Sequence, residues 1–184
     1  MGLCMNELID VYNKEVICEY EGELYSVRDN GAILRHPKGT RKRRLDNIWT
    51  FGTVNKQNGY LLHANVRVHR IVATAFKGEA PSKEHIVDHI NTNKQDNRPE
   101  NLRWITKLEN IILNPITCKK IMWMTGKTID YVLQHIEILH KANLSPDIQW
   151  MRTVTAQESK KTVMRTYSIG QKKILSRQQR REVL

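Results

Sequence analysis

The residues with the clearest chemical potential lie between Asp88 and Asn110. Asp88 and His89 are adjacent, Asn101 follows after a loop rich in turn formers, and Asn110 follows a short apolar run. A carboxylate can hold a hard cation, an imidazole can activate water, and amides can orient both. Metal-assisted hydrolysis of a phosphodiester requires these groups. The alternative, that N-T-N-K-Q-D-N only forms turns, stays open on spacing alone.

Each of these residues has an expected role. Asp88 and Asn110 would supply oxygen ligands to one Mg²⁺ or Mn²⁺ ion, because Mg²⁺ prefers oxygen and keeps several waters. His89 would take a proton from water, a task that suits an imidazole at physiological pH. Asn101 would accept a hydrogen bond from the other ring nitrogen and so fix the tautomer. Asn114 shares a helical face with Asn110 at i+4 and is the alternative metal ligand.

Short regular elements would position these side chains. The pattern predicts a strand, a loop, a second strand and a helix over 86–90, 91–100, 102–105 and 106–113. Thr106 would cap the helix. Because successive side chains alternate along a strand, Asp88 and His89 would face opposite sides of it.

The flanking sequence predicts further elements. Residues 70–76 have helical spacing and end at Gly78, so a short helix is expected there. Asp29-Asn30-Gly31 predicts the turn of a hairpin. Downstream, an apolar stripe predicts one helix that begins at Thr128 and ends near Asn143.

The runs V-H-R-I-V-A-T-A-F and I-V-D-H-I-N-T-N-K-Q-D-N-R-P-E-N-L-R-W-I-T, with the following helix, resemble the HNH endonuclease family. They are most similar to its zinc-free homing type of phages and mobile introns. The resemblance covers about residues 60–113. It implies a ββα-metal fold, with His89 as general base and Asn101 orienting it. Asp88 and Asn110 would hold one divalent cation, and the products would carry 5′-phosphate and 3′-hydroxyl ends.

The charge balance favours double-stranded DNA as partner. The net charge is +11 and the sequence pI about 9.7, more than solubility requires. His69 is interpreted as structural. The residues predicted to contact DNA lie in the basic loop over 35–44, at the helix over 70–76 and in the tail over 151–184. They are Arg35, Lys38, Arg41, Lys42, Arg43, Arg44, Arg70, Lys160, Lys161, Lys172, Lys173 and Arg177.

These observations predict an α+β protein in three parts. They are a β-rich DNA-contacting region over 1–57, the nuclease domain over 58–114, and a helical basic extension over 115–184 that binds DNA or dimerises. The three scattered cysteines, Cys4, Cys18 and Cys118, form no C-x-x-C pair, so no structural zinc is expected.

No apolar run is long enough to span a bilayer, so no membrane partner is expected. The expected location is the cytoplasm of a bacterial or phage-infected cell. The expected state is a monomer or a homodimer. A dimeric restriction or defence nuclease and a non-catalytic DNA-binding protein remain the alternatives.

Overall fold

The computed structural model describes residues 8–40 and 43–162. The chain forms two compact units, Met1–Ile105 and Thr106–Leu184. This division coincides with neither predicted boundary, at 57/58 or at 114/115. Strands and helices are both present, which confirms the predicted mixed α+β class.

In the described part of the first unit, eight strands and a ten-residue helix form most of the regular structure. The strands are β1 Glu15–Tyr20, β2 Glu23–Arg28, β3 Ile33–Arg35, β4 Thr53–Val54, β5 Leu61–His63, β6 Val66–Arg67, β7 His85–His89 and β8 Leu102–Thr106. They form two three-stranded sheets, with the orders β1-β2-β3 and β4-β5-β6, and a two-stranded sheet of β7 and β8. Helix α1, Val68–Lys77, lies between β6 and β7 along the chain. Its buried side chains include Ile71 and Val72, which pack with strand residues such as Tyr25 and Val27 in one apolar core.

Turn-forming residues explain the first sheet. The predicted hairpin is present: β2 and β3 pair antiparallel on either side of Asp29-Asn30-Gly31. A second turn at Glu21-Gly22, where both residues have positive φ, separates β1 from β2.

The second unit is helical. Its helices are α2 Lys107–Leu113, α3 Pro115–Thr125, α4 Ile129–Gln134 and α5 Ile138–Lys141, and a 3-10 segment spans Pro146–Thr153. Thr106 caps α2 as predicted: its hydroxyl accepts from the Glu109 backbone N–H, and the Glu109 carboxylate accepts from the Thr106 N–H. The single helix predicted over 128–143 is wrong, because α4 ends at Gln134, where His135 leaves helical geometry. The apolar stripe still faces one core, which includes Val132, Leu133 and Leu139.

Candidate active site

His89 is the last residue of β7, and its side chain is buried. Its Nε2 lies 2.9 Å from Oδ1 of Asn97. Since a carboxamide oxygen only accepts, Nε2 carries a proton, and in the neutral form of this imidazole Nδ1 is the nitrogen with the lone pair. The predicted partner was Asn101, and the structure corrects this: Asn97 makes the hydrogen bond to the imidazole.

Asn101 organises the loop instead. Its Oδ1 accepts from the backbone N–H of Asn91, and its Nδ2 donates to Oδ1 of Asn91 and to the carbonyl oxygen of Asp96. Its own carbonyl oxygen accepts from the N–H of Ile90. Because these bonds join both ends of the loop over 91–96, they fix the path of the chain immediately before Asn97.

The hairpin between β2 and β3 supports Asn97 from the other side. Gly31 has a φ of +90°, and a Cβ there would lie 3.1 Å from the backbone carbon of Asn97. Only glycine combines this conformation with so close an approach. The turn predicted at Asp29-Asn30-Gly31 therefore also positions the residue that holds His89.

Asp88 lies on the opposite face of β7 and is half-buried, so the predicted alternation is present. Nε and Nη2 of Arg103 both contact Oδ2 of Asp88 at 2.8 Å. Within the described residues, no hydrogen bond or ion pair engages Oδ1. A carboxylate with one unengaged oxygen fits the donor chemistry that Mg²⁺ or Mn²⁺ requires.

Asn110 belongs to the second unit, where it lies half-buried on α2. Its pairing with Asp88 at one cation stays a prediction. The alternative ligand Asn114 is less suited, because its Oδ1 accepts from the N–H groups of Ile116 and Thr117 at the start of α3. The residue before Asn110, Glu109, is buried, and its carboxylate accepts from the backbone N–H of Thr106.

Two aromatic rings lie against His89. The ring centroid of His69 is 5.1 Å from that of His89, with the planes perpendicular, and the ring of Tyr60 is 5.9 Å away. Burial lowers the pKa of His69 to about 3, and the positive charges of neighbouring groups add to the effect, so His69 is neutral at physiological pH. No local pattern in the sequence indicates this cluster, because its members are spread along the chain from Tyr60 to His89.

Two positively charged side chains lie against the ring of Tyr60, beside the site. The Arg67 guanidinium carbon and the Lys94 ammonium nitrogen lie 5.1 and 5.0 Å from its ring centroid. Both side chains are exposed, and neither has an acidic partner within the described residues. Neither was among the predicted DNA-contacting residues, because each stands outside the charge clusters that drew attention in the sequence.

Arg35 and Arg43 correct the interpretation of the basic loop. Arg35 is buried and contacts Asp46 at 2.7 Å, while Arg43 binds both Asp46 and Glu23. Burial alone would raise the pKa of the Asp46 carboxyl, but hydrogen bonds from the Arg43 backbone and both guanidinium groups lower it to about 2. Arg35 is therefore buried in an ion pair, and the partly exposed Arg43 is paired with two carboxylates, so neither guanidinium is unpaired.

The other predicted DNA contacts have mixed outcomes. Lys38, Arg44, Lys160 and Lys161 are exposed, and Arg70 is half-buried beside Tyr20. Outside the described residues lie Arg41, Lys42, Lys172, Lys173 and Arg177.

Two kinds of feature are absent from the described residues. No three His, Cys, Asp or Glu side chains there cluster as a metal-binding group. In the same part of the chain, no helix is long and apolar enough to cross a membrane.

Comparison with known proteins gives a family match over the segment that contains this site. Residues 66–111 match a family described as HNH endonuclease, and the segment contains Asp88, His89, Asn101 and Asn110. Residues 66–111 therefore belong to the HNH endonuclease family.

Two similar relatives come from Acanthamoeba polyphaga mimivirus. The uncharacterized HNH endonuclease L247 is 48% identical over 46 residues, which are 24% of this chain and 12% of that protein. The uncharacterized HNH endonuclease L245 is 33% identical over 132 residues, which are 72% of this chain and 36% of that protein. The match thus spans 12% of the length of the first relative and 36% of the length of the second.

One solved structure, of DNA binding and cleavage by the HNH homing endonuclease I-HmuI, is also similar. It is 26% identical, with 56% of this chain and 62% of that chain covered. The TM-score is 0.32, too low to support an argument about this chain.

Proposed function

We propose that this chain is a metal-dependent endonuclease of the homing type that hydrolyses phosphodiester bonds in double-stranded DNA. The observation that carries the proposal is the state of His89. Asn97 accepts from Nε2–H and two rings pack on the imidazole, so in the neutral ring Nδ1 is the nitrogen with the lone pair. An imidazole held in one tautomer is suited to general-base catalysis. The family match over 66–111 supports the same assignment.

The proposed reaction assigns one proton transfer to His89. Nδ1 accepts a proton from water while the water oxygen forms a bond to phosphorus. The bond from phosphorus to the 3′ oxygen breaks, and this oxygen takes a proton from solvent. The products carry a 5′-phosphate and a 3′-hydroxyl. As the imidazolium forms, Asn97 continues to accept from Nε2–H, so the ring keeps its orientation.

Asp88 and Asn110 would hold one divalent cation, Mg²⁺ or Mn²⁺. When bound, such a cation supplies positive charge that stabilises the phosphate in the transition state and the departing oxygen. The contribution of the chain is to present Asp88 Oδ1 while Arg103 holds Oδ2, so that the carboxylate has a fixed orientation.

The DNA backbone would lie across Arg67 and Lys94. Both cations flank Tyr60, whose ring contacts His89, so they can bind phosphates next to the one that is cut. Bidentate or charge-assisted contacts to phosphate position a duplex without reading its sequence. The net charge of +11 supports a polyanionic partner.

The experiment is cleavage of supercoiled plasmid by the purified chain with Mg²⁺ or Mn²⁺. We expect nicked or linear product from the wild type and none from His89→Ala, with DNA binding in EDTA unchanged. His140→Ala, which removes an exposed histidine in the second unit, is the matched control and should cut normally. Cutting by His89→Ala at the wild-type rate would refute the mechanism.

Two further measurements address the finer claims. DNA ligase should reseal the products directly, because it needs a 5′-phosphate and a 3′-hydroxyl. The mass of the complex on DNA separates a homing-type monomer from a dimer that cuts a palindrome. Binding without cutting at any concentration of either metal would favour a non-catalytic DNA-binding protein.

A further inference from the structure

The rings of Tyr60, His69 and His89 form a cluster in which each ring lies against the other two. The centroids of Tyr60 and His69 are 4.9 Å apart, those of His69 and His89 are 5.1 Å apart, and those of Tyr60 and His89 are 5.9 Å apart. The planes of the two imidazoles are at 90°, so the edge of one ring meets the face of the other. Both imidazoles are at least 95% buried, with 2% and 5% exposure.

His69 is attached to a rigid element. It is the second residue of α1, and the neighbouring Val68, Ile71 and Val72 are completely buried in the core of the first unit. His89, in contrast, ends a five-residue strand and precedes the loop over 91–96. Among the described residues, the one hydrogen bond of its imidazole is to Asn97, which lies just after that loop. One hydrogen bond fixes the tautomer, but a second contact from α1 is needed to hold the plane of the ring.

We propose that His69 is a positioning residue, which holds the imidazole of His89 in the orientation needed for proton transfer. The inference rests on the proposed nuclease function of His89. His69 acts through the shape of its ring, because its Nδ1 is buried and has no hydrogen-bond partner within the described residues. A ring of similar size without nitrogen can therefore replace it.

Because Nδ1 of His69 has no partner, substitution can distinguish the positioning role from a purely structural one. A buried polar atom without a partner destabilises a fold, and replacing it by an apolar group of the same shape is neutral or stabilising. His69→Phe should therefore fold at least as stably as the wild type and keep the edge-to-face contact. His69→Ala removes the contact.

The test compares these two variants in steady-state cleavage of a DNA duplex, together with the His140→Ala control. We expect His69→Ala to lower kcat about 10- to 100-fold, the range set by small misplacements of reacting groups, with KM unchanged. His69→Phe should restore kcat to within about threefold of wild type on the same argument. A purely structural role would leave kcat per folded molecule intact in both variants, whatever their melting temperatures.

A second readout does not depend on cleavage. In NMR spectra, the Cε1–H resonance of His89 should shift and broaden in His69→Ala and stay near its wild-type position in His69→Phe. An unchanged resonance in His69→Ala overturns the proposal, as does a kcat equal to wild type. A His69→Phe enzyme as slow as His69→Ala also overturns it, because the nitrogen would then be required. If the wild type itself cuts nothing, the nuclease function fails while the NMR comparison still decides the positioning role.

Discussion

His69 should make the stability of the first unit depend on pH, and His69→Phe should remove that dependence. The folded chain holds this imidazole neutral, because burial lowers its pKa to about 3. In the unfolded chain an ordinary histidine has a pKa of about 6.5. The stability that this difference provides is therefore complete above pH 6.5. It is lost as the pH falls towards 3, because only the unfolded chain takes up the proton.

The size of the effect follows from the two pKa values. Between pH 7.5 and pH 5.5, proton uptake by the unfolded chain lowers the free energy of unfolding by about 1.4 kcal/mol. The side chain is 2% exposed, so solvent screening does not reduce this figure substantially. In His69→Phe, the free energy of unfolding should not fall by this amount, because the variant has no imidazole at this position. At pH 7.5 the variant should be as stable as wild type or more so, since the unpartnered Nδ1 is gone.

The assay is urea unfolding at both pH values, with fluorotryptophan incorporated. The ¹⁹F signals of Trp49 and Trp104 belong to the first unit and report on it alone. The wild type should lose about 1.4 kcal/mol more than His69→Phe between the two pH values. His140→Phe, at an exposed position in the second unit, should behave as wild type. Equal losses in wild type and His69→Phe would refute the view of His69 as a buried neutral imidazole.

Three other outcomes are expected. Arg67→Ala and Lys94→Ala should each reduce the slope of log binding constant against log salt by about 0.9, measured by fluorescence anisotropy with a DNA duplex. Arg35→Ala should lower the free energy of unfolding by about 3 kcal/mol, because it breaks a buried ion pair, and it should leave that slope unchanged. In the second unit, urea unfolding of Ile121→Ala should show a loss of about 2–5 kcal/mol. Trp123→Ala, at a side chain that is 83% exposed, should stay within about 0.5 kcal/mol of wild type.

The parts of the fold that local chemistry determines were predictable. The capping box of α2 needs only Thr106 and Glu109, three residues apart, and the sequence shows both. The turn between β2 and β3 needs only Asp29-Asn30-Gly31. The alternation of Asp88 and His89 follows from the strand itself. In each case the deciding interaction lies within a few residues, so tertiary structure could not override it.

Interactions between distant residues were not predictable. The sequence shows the charge of Arg35 and Arg43, but their partners are decided by the fold, since Glu23 lies twenty positions from Arg43. The break in the helix predicted over 128–143 occurs at His135, where no glycine or proline marks it. The contact of His69 with His89 also depends on tertiary structure, because it joins a helix to a strand.

The hydrogen bond to His89, which was predicted for Asn101, is made by Asn97, and this difference has a mechanistic consequence. Asn101 bonds to Asn91 and to the carbonyl oxygen of Asp96, and the next residue, Asn97, holds His89. The two asparagines therefore act in series: Asn101 fixes the loop, and the loop presents Asn97 to the imidazole. Interactions in series are not additive. Replacing both by alanine should slow cleavage no more than Asn97→Ala alone, whereas two independent contacts to His89 would multiply their effects. A double variant slower by the product of the two single effects would show that Asn101 reaches the imidazole by a separate route.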